Sequence, residues 1–144
     1  MVKILQPKVY ASWAKRKLMD IRILPRQIEP GSLYLFLYDS EKNLELSLAP
    51  LVLPLRTMNR GFYAINLLMI PRRDLKYKII KEYMDIAGID SARRRDRDYM
   101  KLYQALRNHG LFKQSLEFYR YTEIKSRVVS PPLEEVEGLI RRVL

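Results

Sequence analysis

The sequence of 144 residues contains no cysteine and only one histidine, His109. The absence of thiols excludes disulfide bonds, thiolate catalysis and cysteine-ligated zinc, and a single imidazole cannot build a multi-histidine metal site. The five glycines form neither a GxGxxG nor a GxxxxGK[ST] loop, and the sequence has no GxSxG or HExxH motif. His109 precedes Gly110, a position typical of a helix end. The residue content therefore predicts a protein that is not an enzyme and that holds no metal and no cofactor.

Long apolar runs are also missing, since none reaches the roughly 18 residues that a membrane-spanning helix needs. The first residues are basic, but no continuous apolar stretch with a small-residue cleavage site follows them, so we expect no secretory signal. A chain of this length is typical of a single domain. The sequence thus predicts one domain that does not associate with membranes.

Positive charge is present in excess: 27 Lys and Arg against 16 Asp and Glu give a net charge of +11. Residues 1–30 carry a net charge of +5 and residues 31–70 carry none. Residues 71–100 and 101–130 carry +3 and +4, and the remaining residues carry −1. A positive field attracts polyanions, of which nucleic acid is the commonest, and an acidic protein surface is the alternative.

The electrically neutral stretch has the pattern of a small sheet. Three apolar runs, Leu33–Asp39, Leu51–Arg56 and Gly61–Ile70, read as strands, and the first alternates aliphatic with aromatic residues. Asn59-Arg60-Gly61 fits a short hairpin loop, because Asn and Gly tolerate positive φ. We predict a small antiparallel β-barrel or strongly curved sheet over about residues 31–70.

The rest of the domain reads as helical. Asp74 is the expected cap of a helix that reaches Ala87 and stops at Gly88. Tyr99, Leu102, Tyr103 and Leu106 mark a second helix.

Phe112, Leu116 and Tyr119 mark a third helix, which would form an antiparallel hairpin with the second. A last helix is expected to begin with Ser130 as its N-cap and Pro131 at its first position. The predicted fold class is therefore α+β, with the β core at residues 30–73, helices at residues 74–144 and both parts in one domain.

Residues 1–29 precede this domain, and we predict that they form an extended basic arm. Trp13, Leu18 and Ile21 allow one short helix in the arm, docked by Trp13 or ordered only in a complex. The arm would act as a tether on DNA or on a neighbouring subunit, or it would cover an edge of the barrel.

The candidate nucleic-acid-binding residues are the basic side chains of the arm, of an arginine run and of a later segment. They are Lys15, Arg16, Lys17, Arg22, Arg93, Arg94, Arg95, Arg97, Lys125 and Arg127. Asp96 and Asp98 interleave with the arginine run, so its alternative reading is a solvated loop or a helix start held by local ion pairs. Phosphate binding by such residues is independent of base sequence. Six contacts would lower the affinity by roughly a thousandfold between about 50 and 200 mM salt.

The stretch from Pro30 to Val129 resembles a small protein encoded by T4-like and related tailed bacteriophages. The matching elements are Pro30-Gly31 with Phe36-x-Tyr38-Asp39, Pro50-Leu51-Val52-Leu53-Pro54-Leu55, Gly61-Phe62-Tyr63 with Ile65-Asn66-Leu67 and Pro71, Arg120-Tyr121, and Lys125-Ser126-Arg127. The sequence departs from that pattern at Ala64, Leu68 and Met69, where the family has Gly and a His-Tyr pair. The resemblance implies a phage protein of the DNA-end-protector or structural virion kind.

The sequence and the resemblance together predict a non-catalytic protein of a tailed phage, located in the virion and, during assembly, in the host cytoplasm. It would bind double-stranded DNA, including DNA ends, without sequence preference, as part of a homo- or hetero-oligomeric assembly. The alternative is a head, neck, tail or baseplate assembly protein that contacts only other virion subunits. A third hypothesis, a nuclease using Asp39, Glu41 and Glu45, is disfavoured because those acids lie in a polar turn.

Overall fold

The computed structural model describes residues 8–39 and 49–144, which fold into four helices and one four-stranded antiparallel sheet. The helices are α1 (Lys8–Met19), α2 (Arg73–Ala87), α3 (Ala92–Arg107) and α4 (Leu133–Val143). The strands are β1 (Tyr34–Leu35), β2 (Leu51–Thr57), β3 (Gly61–Asn66) and β4 (Leu116–Arg120). The predicted α+β class is confirmed.

The sheet is open, with strand order β1-β2-β3-β4, so of the two predicted forms, a barrel or a strongly curved sheet, the barrel is wrong. β1 pairs with β2 over only two residues, and the chain after β4 reaches the β1 side through two isolated bridges, Leu35 to Val129 and Tyr38 to Ile124. A barrel needs a continuous ladder of hydrogen bonds between its first and last strands. Here the chain leaves the ladder in a single 3-10 turn, Tyr121–Glu123, before it comes back to β1.

One face of the sheet carries the main core. Leu51, Leu53 and Leu55 point alternately from β2 toward the helices, and all three are buried. They meet side chains from every helix, such as Ile79 of α2 and Ile140 of α4. This aliphatic layer therefore joins the sheet to the helices.

The opposite face of the sheet carries a second, aromatic core. Phe36, Phe62 and Tyr119 pack edge to face or stacked, with ring centroids 5.5–6.0 Å apart. The hydroxyl of Tyr38 donates to Glu123 Oε2 at 2.6 Å and accepts from the amide of Arg120 at 3.1 Å. Burial and the bond to Glu123 raise the pKa of Tyr38 to about 12. Leu33 and Leu35 lie in the main core and Tyr34, Phe36 and Tyr38 in the second core, so this run is covered on both faces.

The helices form a layer in a definite order on the main core. α1 packs mainly on α4, α4 on α2, and α2 on α3, while α3 also packs across β2. This order places α1 and α3 at opposite ends of the helical layer. Both of these end helices carry predicted nucleic-acid-binding residues, so those residues lie at two separate places.

The predicted third helix is wrong, because Leu116–Arg120 is the edge strand β4. It pairs with β3 over five residues, from Leu116 opposite Ile65 to Arg120 opposite Gly61. Consequently the predicted hairpin of the second and third helices is absent. The spacing of Leu116 and Tyr119 fits a helix, but Phe and Tyr also favour strands, and the unpaired edge of β3 decides between the two.

The predicted third strand is too long at its end. β3 ends at Asn66, whose side chain accepts from the amide of Leu68 at 3.1 Å and caps a 3-10 turn at Leu67–Met69.

The predicted hairpin of β2 and β3 is present, but Gly61 does not have the positive φ for which a glycine was expected there. Among the described residues only Gly31 has a positive φ, of 110°. Gly61 is needed for space, because a Cβ there would lie 2.0 Å from the carbonyl oxygen of Tyr119.

Two predicted helix caps are corrected. α2 begins after Arg72, and Asp74 lies in its first turn, where it pairs with the Arg72 guanidinium at 2.6 Å. α4 begins after Pro132, two residues later than predicted. The Ser130 hydroxyl instead donates to the carbonyl of Leu33 at 2.7 Å and so ties the end of the chain to the sheet. The predicted stop of α2 at Gly88 is confirmed.

The predicted arm, residues 1–29, falls partly outside the described residues, which begin at residue 8. Within it, α1 buries Tyr10, Trp13 and Ala14 against the main core. The Tyr10 hydroxyl also donates to the carbonyl of Ala49. α1 is thus docked by Trp13 and its neighbours, whereas Ile21, which was predicted to lie on the helix, follows it and is exposed.

Candidate nucleic-acid interface

The first turns of α3 contain the arginine run. Ser91 caps the helix by accepting from the amide of Arg94 at 3.3 Å, so the run is helical from Ala92 onward. The run is therefore the start of a helix and not a loop.

Helical geometry sorts the charges of α3 onto separate faces. Arg93, Arg97 and Lys101 follow one another at intervals of four residues, and Arg94 lies beside them. All four side chains are exposed. We call these four residues the α3 basic face.

The aspartates that interleave with the run in sequence lie at the two rims of this face. A rotation of about 100° per residue puts Asp96 beyond Arg93 on one side and Asp98 beyond Arg94 on the other. Asp98 pairs with the Nε of Arg97 at 3.3 Å, in an exposed position where such a pair contributes little. The face therefore keeps its positive charge.

Arg95 points the other way from its neighbours. Its Nη1 donates to the carbonyl of Asp90 at 3.1 Å and to the carbonyl of Ile89. Arg95 thus holds the loop between α2 and α3, and its guanidinium is engaged within the chain.

α1 carries the next predicted group. Lys15 and Arg16 are exposed, whereas Lys17 pairs with Glu135 Oε1 at 2.6 Å. The Trp13 indole nitrogen donates to the same oxygen at 2.8 Å. Desolvation alone would raise the pKa of Glu135, but the hydrogen bonds from Lys17 and Trp13 outweigh it and lower the pKa. Lys17 is therefore part of the contact between α1 and α4.

The remaining predicted residues are Arg22, which follows α1, and Lys125 and Arg127, which follow β4. Arg22 is highly exposed and forms a two-pronged pair with Asp20, at 3.1 and 3.2 Å. Lys125 is exposed. Arg127 is partly buried, and it donates from Nε to the carbonyl of Leu18 at 2.9 Å and from Nη1 to that of Ile23 at 2.8 Å.

The structure does not bring all ten predicted residues into one site. Arg93, Arg94 and Arg97 share the α3 basic face, and the residues of α1 lie at the other end of the helical layer. The side chains of five of the ten have partners within the chain, whereas those of Lys15, Arg16, Arg93, Arg94 and Lys125 form no ion pair or hydrogen bond among the described residues. Lys17, Arg95 and Arg127 connect elements of the fold, while Arg22 and Arg97 pair only with neighbouring aspartates and remain at the surface.

Sequence reasoning missed Lys101, the fourth member of the α3 basic face. Its position four residues after Arg97 on a helix is the signal that could have found it. Another basic residue, Lys76, is buried, and its Nζ donates to the carbonyl of Ile70. Desolvation lowers the pKa of Lys76, and its charge is not presented at the surface.

The other side chains considered for chemistry are not assembled into a centre in the described part of the chain. Asp39 is exposed, and Glu41 and Glu45 lie outside the described residues. His109 accepts from the amide of Leu111 at 3.2 Å and packs on Phe112, as a helix-end residue does. Residues 8–39 and 49–144 contain no group of three or more possible metal ligands.

Comparison with known proteins gives no further identification: no family model, no curated protein and no solved structure matches the chain. No helix among the described residues is long and apolar enough to cross a membrane. The interface must therefore be interpreted from its own charges and contacts.

Proposed function

We propose that the chain is a non-catalytic tailed-phage protein that binds double-stranded DNA through phosphate contacts, in the virion or during packaging. The observation that carries the binding proposal is the α3 basic face, with Arg93, Arg94, Arg97 and Lys101 on one side of a helix and the aspartates at its rims. The phage origin is supported by the sequence resemblance.

The α3 basic face suits the DNA backbone for two reasons. Arginine presents a planar fork that can bind a phosphate through two hydrogen bonds, and the side chains stand on a rigid helix. The helix is itself held in place, because Tyr99, Leu102 and Leu106 on its other side are buried in the main core. The side chains are therefore presented to a ligand from a fixed scaffold.

The mechanism that follows is neutralisation of phosphates with release of counterions. Such binding does not depend on base sequence, and its affinity falls as salt is added. A helix with four phosphate contacts gives a slope of about −3.6 in a plot of log affinity against log salt concentration. This corresponds to a loss of about a hundredfold in affinity between roughly 50 and 200 mM salt.

A fluorescence-anisotropy titration of the full chain with a labelled blunt duplex, over a range of salt concentrations, tests this proposal. We expect Arg93→Gln combined with Arg94→Gln to weaken binding and to make the salt slope shallower by about two. A flat salt slope for the wild-type chain would exclude phosphate binding.

The matched control is the double variant Lys78→Gln with Lys81→Gln. Both lysines are exposed on α2, and the variant removes the same amount of charge from a face that also carries Asp74 and Asp85. We expect this variant to bind the duplex nearly as well as the wild-type chain. An equal loss in both double variants would mean that net charge, and not the α3 basic face, drives binding.

A competitor duplex closed by hairpins at both ends separates two modes of binding. Contact along the backbone predicts that the closed duplex competes as well as an open one. Capture of DNA ends predicts that it competes poorly.

The second candidate function is assembly with other virion proteins and no direct contact with DNA. It is favoured by large apolar side chains that remain exposed, above all Met19, Ile21 and Leu24 near the end of α1. A fixed, symmetric copy number in purified particles, together with no binding to duplex DNA, would support this function over the first.

A further inference from the structure

The end of α1 and the segment after it carry the three most exposed large apolar side chains of the described chain. The exposed fractions are 69% for Met19, 88% for Ile21 and 75% for Leu24. Single exposed apolar residues are ordinary on protein surfaces, but three large ones within six residues form a patch that usually marks an interaction site.

This segment is held in shape by several contacts. Arg127 donates to the carbonyls of Leu18 and Ile23 and so fixes both ends of the turn. Within the turn, the amide of Ile23 donates to the carbonyl of Asp20 at 3.2 Å. Further along, the amide of Arg26 donates to the carbonyl of Val128 at 2.9 Å. The exposed side chains are thus presented by a braced turn, which lowers the entropic cost of binding.

A shallow depression lies beside the patch. It has a volume of about 400 Å³, is lined almost wholly by apolar atoms, and is formed by Lys15, Arg16, Met19 and Asp20. The aliphatic stems of the lysine and the arginine supply much of that wall, while their charged ends reach solvent. The depression is wide open to solvent, so an apolar side chain would rest on these stems and would not be enclosed.

The charges around the patch restrict what can cover it. Lys15 and Arg16 are exposed and have no ion-pair partner among the described residues, whereas the exposed Arg22 pairs with Asp20 at 3.1 Å. A second copy of this chain would bring a net charge of +11 against the same sign. An occupant that contributes both acidic and apolar side chains matches the patch in charge and in polarity.

We infer that Lys15, Arg16, Met19, Ile21, Arg22 and Leu24 form a docking surface for an acidic amphipathic segment of a partner protein. An apolar side chain of that segment lies in the depression beside Met19, and its carboxylates face Lys15 and Arg16. The inference is independent of DNA binding by the α3 basic face, because the two surfaces lie at opposite ends of the helical layer.

Selection of peptides from a random display library on the immobilised full chain tests the inference. We expect the selected peptides to combine Asp or Glu with large apolar residues. Direct anisotropy with the best peptide should then show at least about a tenfold loss of affinity for Ile21→Ser combined with Leu24→Ser. Lys15→Gln combined with Arg16→Gln should also weaken binding and reduce its dependence on salt.

Leu111→Ser is the matched control, because Leu111 is 50% exposed and follows α3 at the far end of the helical layer. It should bind the peptide as the wild-type chain does, and all variants should keep the wild-type melting temperature because the altered side chains are exposed. Failure to enrich acidic apolar peptides, or equal binding by the double serine variant, would overturn the inference.

Two further measurements test whether a membrane surface or a second copy of the chain covers the patch instead. Binding to vesicles of phosphatidylglycerol and phosphatidylcholine that is lost in the double serine variant would reassign the patch to a membrane surface. Concentration-dependent dimerisation that is lost in the same variant would reassign it to a second copy. Either result overturns the inference. Peptide binding without vesicle binding and without dimerisation supports it.

Discussion

Gly61 is the first residue of β3, and the backbones of β3 and β4 lie so close together there that a side chain does not fit. An added Cβ would lie 2.0 Å from the carbonyl oxygen of Tyr119 and 2.9 Å from the ring of Phe118. Because one of these neighbours is backbone, relief requires β4 to move. We expect Gly61→Ala to lower the free energy of unfolding by about 3 kcal/mol, measured by urea denaturation.

Gly138 is the control for this substitution. It lies inside α4, and an added Cβ there has no neighbour within 4 Å. Gly138→Ala should stabilise the protein by up to about 1 kcal/mol, because alanine favours a helix over glycine. A Gly61→Ala variant as stable as the wild type would contradict the close approach of the two strands.

Glu135 connects α1 to α4 through Trp13 and Lys17, and its pKa in the folded state is lowered by their hydrogen bonds. In the unfolded state a glutamate has a pKa of about 4.3. The contribution of Glu135 to stability is therefore complete above that pH, and it is lost as the pH falls through the lower folded pKa.

We expect Glu135→Gln to lower the melting temperature at neutral pH and to flatten its decline below about pH 5, measured by calorimetry. The glutamine can still accept from Trp13, so the change reports mainly on Lys17. Glu134→Gln, at the exposed neighbouring position, should lower the neutral-pH melting temperature less. An unchanged acid profile in Glu135→Gln would show that the pair with Lys17 adds no stability.

At the scale of elements, Arg127 determines where the end of α1 lies. Its guanidinium is partly buried and bonded to two carbonyls of the α1 segment, Leu18 and Ile23. We expect Arg127→Gln to cost about 2 kcal/mol, since bonds from a charged donor are lost. Hydrogen exchange should increase at residues 18–26 and remain unchanged in α3.

Lys125→Gln is the control, because Lys125 lies two residues away and is exposed. It should alter neither the stability nor the exchange of residues 18–26. Equal exchange in the wild-type chain and in Arg127→Gln would mean that Arg127 does not brace the turn.

Sequence periodicity predicted some of the helices and strands correctly and one of them incorrectly. α2 has its apolar face where its periodicity predicts it, with Ile79 and Tyr83 buried. β4 was predicted as a helix because a short apolar run fits both periods, and the open edge of β3 gives it a strand partner. The sequence of residues 116–120 alone does not show that β3 has an unpaired edge with which these residues can pair.

For the whole molecule, the net charge of +11 implies self-repulsion that salt should relieve. Increasing the salt from about 10 to 100 mM shortens the screening length from roughly 30 to 10 Å. We therefore expect the melting temperature at neutral pH to rise with sodium chloride over this range, measured by calorimetry. The rise should be smaller for Arg93→Gln combined with Arg94→Gln, and a fall would mean that ion pairs outweigh repulsion.

The sequence by itself determined the α+β class, the strand β2, the helix α2 and the positive charge outside the sheet. These features follow from composition and from periodicity within one segment, which local sequence contains. Only the tertiary structure decided that the sheet stays open, that residues 116–120 join it, and which basic side chains face outward. Those outcomes depend on contacts between distant residues: Arg127 is engaged because Leu18 and Ile23 lie beside it, whereas Lys15 is exposed and pairs with none of the described residues.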